Sequence, residues 1–425
     1  MASITRSPGQ LTHNTAVKLA SELIGRAASF ALTIVAARQL GEAGFGIFNY
    51  GLALGFVLAQ LADMGLQMLV AREVAVHGQA AQPVARMAFH LKCGLSGLVV
   101  LLLSALILTQ PVAVRPTLYL LGLMLLGQTF LELVAYIYRG QQLLAQEAWL
   151  LGGARVALAA VGAMILWGGG GVAQLSGGSL LVTLGFTLWG IGRLRRTGWL
   201  QLLGRRVRPA EVNHLPGAGS YSLLLRRAAP LGVSIFLSIA YTRSAVLLLQ
   251  YLMGPTAVAQ FSAAARLVEP TQVLPASLMA AVFPVFSLAL TKDSRQARLL
   301  GGRVSLLLGG CGLALAVFFW LSADWLVPWL YGEKYAGAIP VLQILGLTII
   351  PTFINYSLTH YLIARHQQAW LGLFTAVMLS LHLALSWVLI GWMGVVGPAI
   401  SVLVSEAFLL VACSLALARK GKLRN

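Results

Sequence analysis

Long apolar runs alternate with short polar or basic stretches along the whole chain. Runs bounded by charge, Gly or Pro predict helices at roughly 14–37, 45–70, 87–109, 116–138, 148–167 and 172–191. A second set falls at roughly 228–252, 257–290, 300–321, 336–362, 369–391 and 394–418. Each run is near the roughly 20 residues that cross a bilayer as a helix. The pattern therefore predicts an all-α, polytopic membrane protein of about twelve transmembrane helices. The longest polar stretch, Arg193 to Arg227, divides these into a six-helix bundle over 1–192, a basic linker over 193–227 and a second six-helix bundle over 228–425.

An internal repeat supports the division. Gly41 precedes Phe48 by seven residues at the start of the second helix, and Gly254 precedes Phe261 by seven at the start of the eighth. Both pairs are offset by 213 residues, about half the chain, as expected for a duplicated six-helix unit. The run Gly168 to Gly171 has neither a preceding strand nor a following Lys and Ser or Thr, so it reads as a tight turn and not a phosphate loop. Pro270 and Pro275 should bend the eighth helix.

Composition agrees with the pattern: 58% of residues are hydrophobic and only 10% are charged, where soluble domains carry about 25% charged residues. The formal charge of +18 changes the picture only through its placement. Of 30 Lys and Arg, 22 sort to the N-terminal side of the predicted helices and three, Arg38, Arg115 and Lys334, to the other. That asymmetry is the mark of cytoplasmic loops and places both termini in the cytoplasm of a cell membrane protein; it argues against nucleic acid as a partner. Lys18, Glu22 and Arg26 interrupt the first apolar stretch, which therefore reads as a retained helix and not a leader. Trp149, Trp167, Trp189, Trp325, Trp329 and Trp392 fall near predicted helix ends and suit the headgroup layer, although Trp325 and Trp329 could equally form a sugar platform. Cys93, Cys311 and Cys413 are widely spaced inside apolar runs and form no metal-binding pattern; no cofactor is expected.

The candidate chemistry lies in charges that should not be in lipid. Each costs roughly 2.5–3.5 kcal/mol at a helix centre, so it must pair or line a wet cavity. Lys18, Glu22 and Arg26 follow i, i+4, i+8 spacing, with Ser29 and Thr33 on the same stripe, and Gln60, Asp63 and Gln67 make a comparable stripe on the second helix. Arg243 sits near the middle of the seventh helix; Arg266 and Glu269 share a face of the eighth and can pair with each other. Arg155 and Arg243 have no acidic residue within one helical turn. The reading that follows is a cationic cavity of Lys18, Arg26, Arg243 and Arg266, suited to a pyrophosphate because guanidinium donates two hydrogen bonds and stays charged when partly desolvated. Asp63, Glu132, Glu269 and Glu406 are candidates to carry a coupling proton or cation.

Several segments resemble the polysaccharide flippases. Arg38, Leu40, Gly41, Phe45, Gly46 and Phe48 resemble that family's segment before the second helix; Asp63, Gly65, Leu66, Arg72 and Glu73 resemble its D-x-G-L and R-E positions. Tyr331, Gly332, Tyr335 and Ala338 are similar to its Y-G-x-x-Y-x-x-A loop, and Gly394, Gly397 and Ala399 to its G-x-x-G-x-A start of the last helix. The resemblance spans essentially the whole chain and is to the O-antigen type within the multidrug, oligosaccharidyl-lipid and polysaccharide exporter superfamily. It implies two six-helix bundles around a central cationic cavity, working by alternating access on an undecaprenyl-pyrophosphate-linked oligosaccharide. Partners would be the lipid-linked sugar, membrane lipids, a polysaccharide polymerase and glycosyltransferases. Two departures are the absence of the fourteen helices typical of the lipid II flippase branch and a weakly acidic interior.

Other readings make different demands. A multidrug-type small-molecule antiporter calls for an aromatic, acidic cavity, whereas this interior is net basic. A sugar polymerase or ligase calls for a large outer loop with catalytic residues; the longest candidate, near Asp324 to Tyr335, offers only Asp324 and Glu333. A scaffold of a glycan assembly complex has little reason to keep charges inside the membrane.

Overall fold

A computed structural model of the chain describes residues 8–196, 198–199, 220–292, 294–365 and 367–419. Among these residues it is helical and contains no strand. The elements are α1 (Pro8–Asp63), α2 (Leu66–His77), α3 (Gln82–Leu108), α4 (Arg115–Gly140), α5 (Leu144–Trp167) and α6 (Val172–Arg196). They continue as α7 (Tyr221–Leu252), α8 (Pro255–Val268), α9 (Val273–Lys292), α10 (Ser294–Tyr331), α11 (Ala338–Ala364), α12 (Gln368–Met393) and α13 (Gly397–Arg419).

Ten segments among the described residues are long and apolar enough to cross a membrane. Two of them, Val17–Asp63 and Trp370–Ala418, run to 47 and 49 residues, twice the length a bilayer needs. The first is broken at Gly41 and the second at Gly394, and the α2 segment, too short to span alone, extends the second part of α1. The result is the twelve-helix arrangement expected from the apolar runs.

Gly41 and Gly254 share one backbone conformation, φ 66°, ψ 179° and φ 86°, ψ −172°. This region is essentially open only to glycine, so the sequence repeat has a backbone cause. The eighth transmembrane segment bends as expected: α8 stops at Val268, a 3₁₀ turn spans Glu269–Gln272 around Pro270, and α9 begins at Val273. A break the sequence did not announce separates α1 from α2, where Met64 and Gly65 both take positive φ (43° and 81°). There a Cβ on Gly232 of α7 would fall 2.3 Å from the Met64 carbonyl carbon, so two backbones meet without side chains between them. The four glycines 168–171 form the expected turn between α5 and α6.

Two expectations need correction. The stretch Asp324 to Tyr335 is not a loop: α10 runs through Pro328 to Tyr331 before a short turn at Glu333–Tyr335. Arg86 and Lys92, sorted with the loop residues, lie buried on α3.

The chain forms two compact units, Met1–Ile239 and Ala240–Asn425. Their boundary falls within α7, whereas the polar stretch 193–227 marks it in the sequence; most of that stretch lies outside the described residues. In the first unit α1 packs on α4 and α5, and α4 on α6. Its core gathers Leu66, Val70, Val84, Met87, Leu133, Ile137 and Leu150 with Leu224 and Ala228 from the start of α7. In the second unit α11 packs on α10 and α13, and α13 on α12, around Leu362, Met378, Leu409 and Cys413. Outward-facing positions carry large apolar side chains, and all six tryptophans assigned to helix ends are exposed, as an apolar solvent requires.

Candidate functional site

Among the described residues the intramembrane charges gather into separate groups. In the first unit the polar stripe of α1 meets the start of α5. Glu147, almost fully buried, accepts from Lys18 Nζ at 3.2 Å and from Arg139 Nε at 2.8 Å, so one carboxylate serves two cations. Arg26 pairs with Glu22 one turn earlier at 2.8 Å. Arg155, two turns on from Glu147 along α5, packs its stem against Gly25 of α1, where a Cβ would come within 3.1 Å of Arg155 Cδ. Its charge is felt by Glu22 and Glu132, but it makes no ion pair among the described residues. Lys18, Ser21, Glu22, Arg139, Glu147 and Arg155 line one small polar crevice of about 100 Å³. With two carboxylates against Lys18, Arg139 and Arg155, its charge is positive.

Deeper in the same unit Lys92 Nζ donates to Asp63 Oδ1 at 2.5 Å, and both side chains are sealed from solvent. The second Asp63 oxygen has no hydrogen-bond partner. Phe130 lies beneath the ammonium, its ring centroid 5.8 Å away. Among the described residues Glu132 accepts from Gln128 Nε2 alone, at 3.2 Å, within electrostatic reach of Lys92, Asp63 and Arg155. Lys92 is therefore bonded to Asp63 and within electrostatic reach of Glu132.

In the second unit the break between α8 and α9 presents Glu269 to two arginines. Arg243 Nη1 reaches Oε1 and Arg266 Nη1 reaches Oε2, each at 3.2 Å. The pairing Arg266 with Glu269 is the one the spacing suggested; Arg243 gains the same partner from 26 residues away. The group carries one more positive charge than negative, and the Glu269 side chain is 41% exposed.

Glu406 on α13 is different in kind. It is buried and its partners are neutral: Asn355 Nδ2 donates to Oε2 at 2.9 Å and the Tyr241 hydroxyl to Oε1 at 3.3 Å. Asn355 Oδ1 beside it is buried without a partner. The Tyr241 ring stands edge-on to His382, centroids 5.1 Å apart. The Ser401 hydroxyl lies 2.9 Å from both His382 Nδ1 and the His382 carbonyl. A hydroxyl has one proton, so if it goes to the carbonyl, Nδ1 must donate and Nε2 is left a bare acceptor. His382 Nε2 is indeed buried without a partner.

Within the second unit the structure brings together Arg243, Arg266 and Glu269, and within the first it places Lys18 on the same helix stretch as the Glu22–Arg26 pair. Lys92, Glu147, Asn355 and His382 were not singled out in the sequence. Lys92 had a readable signal, a lysine within a predicted apolar span; the neutral polar partners had none.

The model of the polysaccharide biosynthesis protein family matches residues 11–290. No curated protein matches the chain in sequence. Among solved structures, the fold is similar to an inward-facing multidrug resistance MATE family transporter of the MOP superfamily (TM-score 0.73, 16% identity, covering 96% of this chain and 99% of that one). It is also similar to the lipid II flippase MurJ in an inward closed conformation (TM-score 0.71, 11% identity, covering 95% and 87%). A third similar structure is a MOP superfamily transporter from Pyrococcus furiosus described as having a binding pocket of reversed polarity (TM-score 0.63, 17% identity, covering 98% and 95%). With the family model matching well over half of the chain, the chain belongs to the polysaccharide biosynthesis protein family.

Proposed function

We propose that this protein is a flippase that moves a lipid-linked oligosaccharide of the undecaprenyl-pyrophosphate type across the cytoplasmic membrane by alternating access, with both termini in the cytoplasm. The observation that carries the reading is the excess of cations over carboxylates in two groups of intramembrane charges, one around Glu269 and one around Glu147. Glu269 is shared by Arg243 and Arg266, Glu147 by Lys18 and Arg139, and Arg155 pairs with no carboxylate among the described residues. Pairing alone would need only one cation per carboxylate. The surplus suits a substrate whose diphosphate supplies the missing negative charge, and guanidinium groups hold phosphate oxygens by paired donation.

Coupling falls to Glu406. A carboxylate among neutral partners in a low-dielectric interior is stable only as an acid or with a bound monovalent cation. The unpartnered Asn355 oxygen beside it could complete either arrangement, as acceptor of the acid proton or as a second ligand. Asp63, held by Lys92, and Glu269, held by two arginines, are better placed to organise helices and cations than to exchange an ion.

A multidrug antiporter is the reading the MATE similarity favours. An Arg26→Ala, Arg243→Ala double variant separates the two in cells. The flippase reading expects normal membrane levels, loss of surface polysaccharide and accumulation of lipid-linked sugar on the cytoplasmic face. Wild-type export by that variant, or drug resistance conferred by overexpression of the parent, would count against it.

A further inference from the structure

A groove of about 780 Å³ runs along α4, α5 and α6 of the first unit. Its length is apolar, lined by Trp149, Val182, Gly185 and Phe186. One end is polar, formed by Tyr138 near the end of α4, Gln146 at the start of α5 and Arg193 at the end of α6. The Arg193 guanidinium lies over the Trp189 ring, 5.7 Å from its centroid. Two buried atoms at this end have no hydrogen-bond partner among the described residues, the Tyr138 hydroxyl and Gln146 Oε1, and Tyr138 is only 1% exposed. An unmet buried polar group costs roughly 1–3 kcal/mol. Two of them lining one apolar groove together with an arginine are groups that the polar end of a ligand would satisfy.

That ligand's chemistry follows from what the three groups lack. Arg193 needs an anion, the Tyr138 hydroxyl can donate to one of its oxygens, and Gln146 Oε1 needs a donor. A phosphodiester supplies the first two and a hydroxyl-bearing headgroup the third, while a fatty chain fills the apolar length. A choline headgroup offers no donor. We propose that the groove is a binding site for one anionic phospholipid with a hydroxylated headgroup, of the phosphatidylglycerol class. Its lining shares no residue with the neighbouring crevice of Lys18, Arg139 and Glu147, and the proposal does not depend on the role assigned to those charges.

Native mass spectrometry of the delipidated full chain tests the proposal, with phosphatidylglycerol, phosphatidylcholine and a polyprenyl phosphate as probes. One phosphatidylglycerol should be retained about tenfold more tightly than phosphatidylcholine, the equivalent of about 1.4 kcal/mol. Tyr138→Phe combined with Arg193→Gln should abolish the preference without lowering the melting temperature in detergent, since the change removes an unmet buried hydroxyl. Gly185→Leu should also remove the bound lipid by filling the groove, because a Cβ at Gly185 meets nothing within 4 Å and the substitution has room. Equal retention of the two phospholipids, or an unchanged preference in the variants, overturns the proposal. Displacement of phosphatidylglycerol by equimolar polyprenyl phosphate also overturns it and assigns the groove to an isoprenoid carrier.

Discussion

Lys92 Nζ sits 2.5 Å from Asp63 Oδ1, with both side chains closed to solvent, one residue before the backbone turns left-handed at Met64. The pair ties α3 to the point where α1 ends. Losing one partner of a buried ion pair costs about 3–5 kcal/mol because the other charge is stranded, whereas replacing both with apolar groups of similar size is often neutral. Lys92→Met should therefore lower the melting temperature of the purified protein sharply, and adding Asp63→Leu should restore it. Recovery of export alongside stability would assign the pair to structure; stability without export would give Asp63 a part in transport.

Arg243 and Arg266 divide one carboxylate, and the account assigns their surplus charge to the substrate. Either Arg→Gln substitution leaves the group neutral. A hydrogen bond to a charged group contributes about 1.5–3 kcal/mol, so export in cells should fall roughly ten- to hundredfold at unchanged protein level. Arg→Lys should rescue only in part, because an ammonium cannot offer the paired donors of a guanidinium.

Glu406→Gln keeps a side chain of the same shape that can still bond Asn355 and Tyr241, but it cannot ionise. Fold and membrane level should hold. What should disappear is the dependence of export on the proton or sodium gradient, measured with and without an ionophore. Export by the variant that still collapses with the ionophore would move coupling to another residue, with Glu132 next in line because it too lacks a bonded cation among the described residues.

Gly41 and Gly254 adopt backbone angles that side chains resist. Gly254→Ala should cost about 1–3 kcal/mol, read as a lower melting temperature, even though its Cβ would meet no atom within 4 Å. The corresponding Gly41→Ala should behave alike, since it too has open space and the same strained angles.

Helix number, the bend at Pro270 and the half-repeat marked by Gly41 and Gly254 could all be read from the sequence, because apolar run length, proline and glycine act locally. The break at Met64 and Gly65 could not: no proline marks it, and it depends on the close approach of Gly232. The candidate site was legible one partner at a time. Arg266 with Glu269 follows helix spacing, but the Glu269 link to Arg243 and the Glu147 links to Lys18 and Arg139 join separate helices or cross a turn. Glu147 lies one residue outside a predicted span, so its sequence position carries no signal of burial. Tyr241, Asn355 and His382 are neutral and carry no charge signal, and only the fold brings the first two to Glu406.

The most direct test of the central claim is flipping by the purified protein in liposomes, using an undecaprenyl-pyrophosphate-linked oligosaccharide in one leaflet and a membrane-impermeant glycosidase to report its arrival in the other. The account predicts transfer at least about tenfold faster than in protein-free liposomes, slowed by Arg243→Gln. Transfer no faster than in empty liposomes, with a cationic drug carried by the same preparation, would contradict it.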